Sequence, residues 1–352
     1  MSVTAARPTI VIVGGFLGSG KTSLILAAAR ILARRGLRVA VVLNDQGEAL
    51  VDTSMAQAYG LPAREVTGGC FCCRLSDLTD RLEELRALAP DVIFAEPVGS
   101  CTDISATVFA PLREDFDRFR IAPFSVLVDP QRALELAGPG ADPGMLFLYR
   151  SQIDEADLIC LTKSDLYPHA PLIPGHPTRR ISAVAGQGVE EWIDEILFGA
   201  IESRHTVLQI DYARYAEAEA ALAWLNLSFA YAPFEPVSPA SAIGPFFDAL
   251  QNALSAAGIA IVHLKMFDVS PTGWLKAAVC SNTDAPRVEG DLSASPSAHH
   301  DILLNLRAKG TPEEVRSLVE NQLNSLEGII ENVRLECFSP APPKPERRIP
   351  AL

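Results

Sequence analysis

Short apolar runs recur along the first 200 positions, each followed by a stretch with apolar residues three and four apart. Residues 10–13, 38–43, 92–95, 124–128 and 158–161 are rich in valine, isoleucine and leucine without polar alternation, as strands buried on both faces require. Between and after them, 23–34, 74–88, 145–155 and 189–198 carry helical spacing. Strands alternating with helices predict a doubly wound, mostly parallel α/β sheet whose ligands sit at the strands' carboxyl ends. Residues 48–63 show no strong period and read as a mobile segment. Beyond a connector at 204–220 the rhythm changes. Strands are expected at 225–231, 259–267, 274–280, 301–306 and 329–338, and helices at 243–257 and after Thr311, which supplies an N-cap followed by proline. That pattern is a smaller α+β domain with a mainly antiparallel sheet, for which a ferredoxin-like arrangement is one solution. Residues 340–352 form a proline-rich tail that reads as disordered. The division expected is therefore 1–203, connector 204–220, 221–339 and tail 340–352.

The first chemistry lies where the first strand ends. Gly15, Gly18, Ser19, Gly20, Lys21 and Thr22 complete a glycine, four residues, then Gly-Lys-Thr, between a predicted strand and a helix that continues through Ser23. A glycine loop opening a helix aims backbone N–H groups and the positive dipole end at a phosphate chain. Lys21 would reach the β- and γ-phosphates and Thr22 would ligate Mg²⁺. A bare glycine turn is the competing reading, but loop, lysine, hydroxyl and flanking elements all agree on phosphate. Asp45, Glu96, with Gly99 three residues on, and Asp165 each follow a predicted strand, at the same ligand-binding edge. Glu96 suits the carboxylate that serves Mg²⁺ or water; a helix cap is its competing role.

A net charge of −13 argues against nucleic acid or an anionic membrane as the main partner. No signal-peptide pattern and no apolar run of about 18 residues is found, so a cytoplasmic location is expected. Three of seven cysteines crowd into Cys70, Cys72 and Cys73, a spacing for metal or redox chemistry. Thiolates suit Zn²⁺ or Co²⁺, provided a tight turn after Gly68-Gly69 gathers residues that a strand would point apart. A helix N-terminus just beyond is expected to lower the thiol pKa values. Cys101, Cys160, Cys280 and Cys337 each stand alone and read as small apolar residues. His299-His300 reads as a solvated loop pair.

Taken together, the 14–22 loop, Asn44-Asp45-Gln46-Gly47, Gly69-Cys70-Phe71-Cys72-Cys73, 96–99, Thr162-Lys163-Ser164-Asp165 and Ser182-Ala183 resemble a CobW-type P-loop GTPase, related to the hydrogenase and urease nickel-insertion GTPases. The resemblance implies a GTP-hydrolysing metallochaperone that binds Zn²⁺ or Co²⁺ and hands it to a client metalloprotein or a cobalamin-dependent enzyme system. It implies that Lys21, Glu96 and Asp45 serve catalysis, and that Gly15, Gly18, Ser19, Gly20, Lys21, Thr22, Ser23 and Gly99 surround the phosphates. Thr162, Lys163, Asp165, Ser182 and Ala183 would recognise guanine, Asp165 by accepting from N1–H and the amine, Ala183 by offering its N–H to O6. Thr22 and Glu96 would hold Mg²⁺, and Cys70, Cys72 and Cys73 the transferred ion. The chain departs from the family where Thr162 replaces asparagine, where Asp45-Gln46 replaces Glu-Phe, and in lacking a histidine-rich tract. Slow basal turnover is expected, since no arginine or glutamine is placed to assist hydrolysis. A nucleotide-gated metal store and a P-loop small-molecule kinase are the alternatives, and self-association is left open.

Overall fold

The computed structural model describes residues 7–47, 51–115, 118–199 and 201–350. The chain divides into two compact units, one comprising the described residues of 1–46, 52–218 and 342–352, the other those of 47–51 and 219–341.

In the first unit the strands are β1 (Thr9–Gly15), β2 (Val39–Asn44), β3 (Ala63–Val66), β4 (Val92–Glu96), β5 (Arg120–Ile121), β6 (Ser125–Val128), β7 (Leu158–Leu161) and β8 (Thr178–Arg180). They form one sheet in the order β3-β2-β4-β1-β6-β7-β8, with β5 beside β1, and every pair is parallel. β1, β2, β4, β6 and β7 are buried along their whole length, which is why their sequences lack alternation. The helix Lys21–Arg34 packs with Leu24, Ile25, Ala28 and Leu32 buried. Because β1 lies between β4 and β6, chain leaves it to both sides, and the crevice at its carboxyl end is where such sheets bind ligands.

The second unit holds β9 (Leu222–Ala232), β10 (Ile261–Ser270), β11 (Gly273–Val279), β12 (Arg287–Gly290), β13 (His300–Lys309) and β14 (Ile329–Phe338), all antiparallel, in the order β12-β11-β10-β13-β9-β14. Helices Pro239–Ala256 and Pro312–Leu323 follow β9 and β13. Phe246, Phe247, Leu250, Val315 and Val319 share one core with Leu225, Leu227, Leu264, Met266, Leu304 and Leu306. Without the β11–β12 hairpin this is strand-helix-strand twice over, the ferredoxin-like arrangement that the sequence suggested. Thr311 and Glu314 close a reciprocal capping box at the second helix.

Four sequence expectations change. Within 48–63, Val51–Ala58 is a helix and Ala63–Val66 is β3, while 48–50 lie outside the described residues. The helix expected at 243–257 begins earlier, at Pro239 capped by Ser238, and carries Pro245 inside it at the loss of one backbone bond. His300 is no solvated loop residue: it opens β13 fully buried, its Nδ1 sharing a 2.7 Å hydrogen bond with Asp268 Oδ2. The proline-rich tail is ordered against the first unit. There the Glu346 N–H donates to Cys72 O at 3.0 Å, Ile349 N–H to Ala106 O at 2.9 Å, and Arg348 Nε to Asp103 Oδ2 at 2.7 Å. An extended segment of this kind is fixed by individual polar contacts, which leave no period to read.

The segment between the sheets also packs on the first unit. Asp157 Oδ1 accepts the Arg204 N–H at 2.8 Å and the His205 N–H at 3.1 Å. His205 stacks on Phe109 with ring centroids 3.9 Å apart, and burial holds its pKa down to about 3.

Candidate nucleotide and metal site

Glycine is obligatory at the end of β1. Gly15 has φ 134°, and a Cβ there would lie 2.5 Å from Leu127 O. Gly20 (φ 93°) turns the chain into the helix starting at Lys21, and among the described residues nothing beyond its chain neighbours stands within 4 Å of where its Cβ would be, which leaves room for a phosphate. Lys21 Nζ donates to Gly15 O at 3.0 Å and stands 3.9 Å from Glu96 Oε1. Thr22 Oγ1 donates to the same Glu96 oxygen at 3.1 Å. All three side chains are buried. Ser19 Oγ is buried with no hydrogen-bond partner among the described residues, an orphan that a phosphate oxygen would satisfy. A hydroxyl and a carboxylate are hard oxygen donors, so Thr22 and Glu96 fit Mg²⁺. Gly99 brings the chain beyond Glu96 against the loop, since a Cβ there would meet Leu17 at 2.8 Å. Asp45 reaches the same sheet edge, where its Oδ1 accepts the Gln46 N–H at 2.7 Å.

Beyond β7, Thr162 Oγ1 donates to Val128 O at 3.3 Å and Lys163, at φ 55°, pairs its ammonium with Asp129. Ser164 N–H donates to Ile181 O at 3.2 Å, tying this loop to the one bearing Ser182 and Ala183. Ser182 is fixed in turn, its N–H on Gln187 O at 2.9 Å and its Oγ accepting the Ala185 N–H at 3.0 Å. The Asp165 side chain is left exposed beside them. Two rigid loops thus flank one solvent-facing carboxylate.

The cysteines are gathered by a turn. Gly68 (φ 73°) and Gly69 (φ 159°) reverse the chain, and Cys70 O accepts the N–H groups of Cys73 at 2.9 Å and Arg74 at 3.0 Å. The three sulfurs come within 4.8 Å of one another: Cys70 to Cys72 2.7 Å, Cys70 to Cys73 3.4 Å, and Cys72 to Cys73 3.7 Å. Sulfur donors this close suit a thiophilic ion such as Zn²⁺. One residue joins this turn to the nucleotide edge. Asn44, the last residue of β2, donates through Nδ2 to Val66 O at 2.9 Å and Gly69 O at 2.7 Å. Its Oδ1 accepts the Phe71 N–H at 2.9 Å and, more weakly, the Val98 N–H at 3.4 Å.

The helix N-terminus after the turn does not lower the thiol pKa values as expected. Cys70 is raised chiefly by a hydrogen bond with Cys101, and Cys72 well raised by the same partner. Cys73, pushed up to about 11, responds mainly to Cys70. Crowded thiols penalise a second negative charge, and burial adds to this, so an ion must displace the protons.

Sequence reasoning named Asn44 within a motif without giving its side chain a role, and passed over two further contributors. Asn44 carried a signal, as a polar side chain closing an apolar strand. Cys101 had none, because only the fold brings it to the turn. The tail had none either, yet Lys344 N–H donates to Cys73 Sγ at 3.1 Å and Ser76 Oγ to Glu346 Oε1 at 2.9 Å.

The loop bearing Cys101 is anchored by a buried acid. Glu155 accepts the N–H groups of Asp103 at 2.7 Å and Ser105 at 2.9 Å, and the Thr102 hydroxyl at 3.1 Å. Burial raises its pKa from 4.5 to about 7. The folded state therefore keeps a proton that the unfolded chain has lost between those values. Its contribution to stability is complete below about pH 4.5 and is lost as pH rises through 7, about 3 kcal/mol in all. Denaturant melts at pH 5 and 8 should show this fall in the parent and a smaller one in Glu155→Gln. Parallel pH dependence in the two proteins would assign the titration elsewhere.

The model of the CobW/HypB/UreG nucleotide-binding domain matches residues 9–182. The zinc chaperone YeiR of Escherichia coli K12 is 30% identical over 161 residues, 44% of this chain and 46% of its own length. The zinc chaperone YjiA of the same organism is 30% identical over 162 residues, 45% and 49% of the two chains. The hydrogenase maturation factor HypB of Azotobacter chroococcum mcd 1 is 27% identical over 190 residues, 50% and 55%. The chain thus spans about half the length of the curated relatives it matches. The solved Zn(II)-bound YjiA GTPase from E. coli aligns over 90% of this chain and 99% of its own, at 15% identity and a TM-score of 0.35.

Proposed function

Since residues 9–182 of this chain are a CobW/HypB/UreG nucleotide-binding domain, we propose that the protein is a GTP-hydrolysing metallochaperone that carries Zn²⁺, or Co²⁺ in its place, on the Cys70–Cys73 turn and releases it to a client metalloprotein. The observation that carries this reading is the Asn44 side chain, which bonds the metal-competent turn at Gly69 and Phe71 and the segment after Glu96 at Val98. Lys21 meets the β- and γ-phosphates, and the N–H groups of the Gly15–Thr22 loop surround them. Thr22 and Glu96 hold Mg²⁺, which when bound neutralises charge developing on the phosphates. A γ-phosphate drawn into this loop presses on the segments carrying Glu96 and Asp45, and Asn44 passes any shift of β2 to the turn. The zinc-chaperone relatives support Zn²⁺ as the cargo, with Co²⁺ the less supported alternative. Among the described residues no helix is long and apolar enough to cross a membrane.

Nucleotide choice tests the base site. GTP should bind better than ATP, because the exposed Asp165 carboxylate accepts from the guanine N1–H and amine, which adenine does not present. Asp165→Asn should shift preference toward XTP, since a carboxamide donates where the carboxylate accepted. Competition binding with GTP, ATP and XTP decides it; equal affinity for ATP and GTP in the parent chain would remove guanine from the account.

A further inference from the structure

We propose that Cys101 is a fourth sulfur ligand of the Cys70–Cys73 site, so that the ion is held by four thiolates from two separate segments of the chain. This deepens the metallochaperone reading and rests on it.

The Cys101 side chain hydrogen-bonds with the sulfurs of both Cys70 and Cys72, and the residue is 3% exposed. Its backbone is held on both sides. The Cys101 N–H donates to Val98 O at 2.9 Å, while Gln152 Nε2 donates to Gly99 O at 3.0 Å and to Cys101 O at 2.9 Å. The next two residues are fixed by Glu155. A thiol so placed is aimed at the cluster by its surroundings, and the approach is no accident of a free loop.

The spacing suits a tetrahedral ion. At a Zn–S distance of about 2.3 Å, sulfurs at tetrahedral corners stand about 3.8 Å apart. Cys72 and Cys73 are already 3.7 Å apart, and the 3.4 and 2.7 Å pairs need to open by only about 1 Å or less to admit the ion. Cys101 meets Cys70 and Cys72 but stands outside the group of sulfurs that all lie within 4.8 Å of one another, so it closes on Cys73 as the ion enters. Four sulfurs with no nitrogen or oxygen donor favour Zn²⁺ over the harder divalent ions. Binding releases one proton from each thiol, four in all, and leaves a site of net charge −2 that backbone donors such as the Lys344 N–H to Cys73 Sγ stabilise.

The two segments differ in what they follow. Cys70, Cys72 and Cys73 follow β3, whereas Cys101 is five residues beyond Glu96, on the segment that leaves the Mg²⁺ carboxylate. A four-sulfur site has no open position, so release to a client begins with one ligand leaving. Cys101 is the ligand that a change at Glu96 and Gly99 withdraws.

Zinc-edge X-ray absorption on the reduced full chain loaded with one equivalent of Zn²⁺ counts the ligands directly. Four sulfurs at about 2.3 Å are expected; three sulfurs with one nitrogen or oxygen would overturn the role of Cys101. Alkylation followed by mass spectrometry should find Cys101 protected by Zn²⁺ together with Cys70, Cys72 and Cys73. Cys101→Ser should weaken Zn²⁺ binding at least about tenfold and lower the sulfur count by one. Unchanged affinity and sulfur count in that variant would overturn the proposal, and should the variant not fold, the parent spectrum decides alone. Loss of two protons' mass before metal is added would show a disulfide in place of ligands, which also overturns it. The parent reading fails differently: a triple Cys70, Cys72, Cys73→Ser variant that binds Zn²⁺ as tightly as the parent would remove the whole site, whereas three sulfurs in the parent remove only Cys101.

Discussion

Lys21→Ala should lower GTP turnover by about a hundredfold or more, the usual cost of removing one preorganised charge from a phosphate or oxyanion site. Lys21 is 6% exposed and its ammonium is pinned to Gly15 O at 3.0 Å, so it is in place before nucleotide arrives and costs little to organise. Within 3.9 Å lies Glu96, which alone would repel the phosphates. Removing Lys21 therefore takes away the attraction and leaves the repulsion, and both binding and turnover should fall. A melting curve must accompany the assay, because the substitution also leaves the buried carboxylate short of a cation. A folded variant with full GTP affinity and turnover would place the nucleotide elsewhere.

Asn44→Ala should remove the communication between nucleotide and cysteines. The side chain makes two buried hydrogen bonds and one part-buried one, and their loss leaves Gly69 O, Phe71 N and Val66 O without this partner, costing about 2–3 kcal/mol of stability. A large part of that loss falls on the turn, so Zn²⁺ affinity should drop and, more tellingly, cease to depend on the nucleotide. Asn44→Asp separates the two effects, because it keeps the acceptor for Phe71 N–H and loses both donations. The measurement is Zn²⁺ affinity with GTP and with GDP for each variant. A variant that keeps the parent's ratio of affinities would show that coupling does not run through Asn44.

The geometry of the Gly15–Thr22 loop was readable because it is local: loop, lysine and hydroxyl lie within eight residues of sequence, flanked by elements with clear patterns. The parallel sheet was equally plain, since strands buried on both faces leave unbroken apolar runs. What escaped was held by long-range contacts. Cys101 looked like an isolated apolar cysteine because the 31 positions separating it from Cys70 conceal a meeting that only β4 and the turn after β3 create. The tail carries no period, yet Glu346 and Arg348 reach Ser76 and Asp103. The helix Val51–Ala58 was hidden by its small and polar residues, with burial resting on Val51, Met55 and Ala56. The thiol pKa values went the other way from expectation because a helix terminus is a weaker influence than neighbouring sulfurs and burial.

Zn²⁺ titration against a competing chelator, on the GTP–Mg²⁺ form, the GDP form and the triple Cys70, Cys72, Cys73→Ser variant, tests the central claim most directly. Linkage requires that a nucleotide which changes metal affinity be changed in its own affinity by the same factor, so GTP and GDP binding with and without Zn²⁺ gives an internal check. The account predicts one Zn²⁺ per chain, bound about 5- to 150-fold more tightly with GTP than with GDP, and none at the triple variant. Equal affinity in all three samples would contradict it, leaving a nucleotide-binding protein whose cysteines serve only its fold.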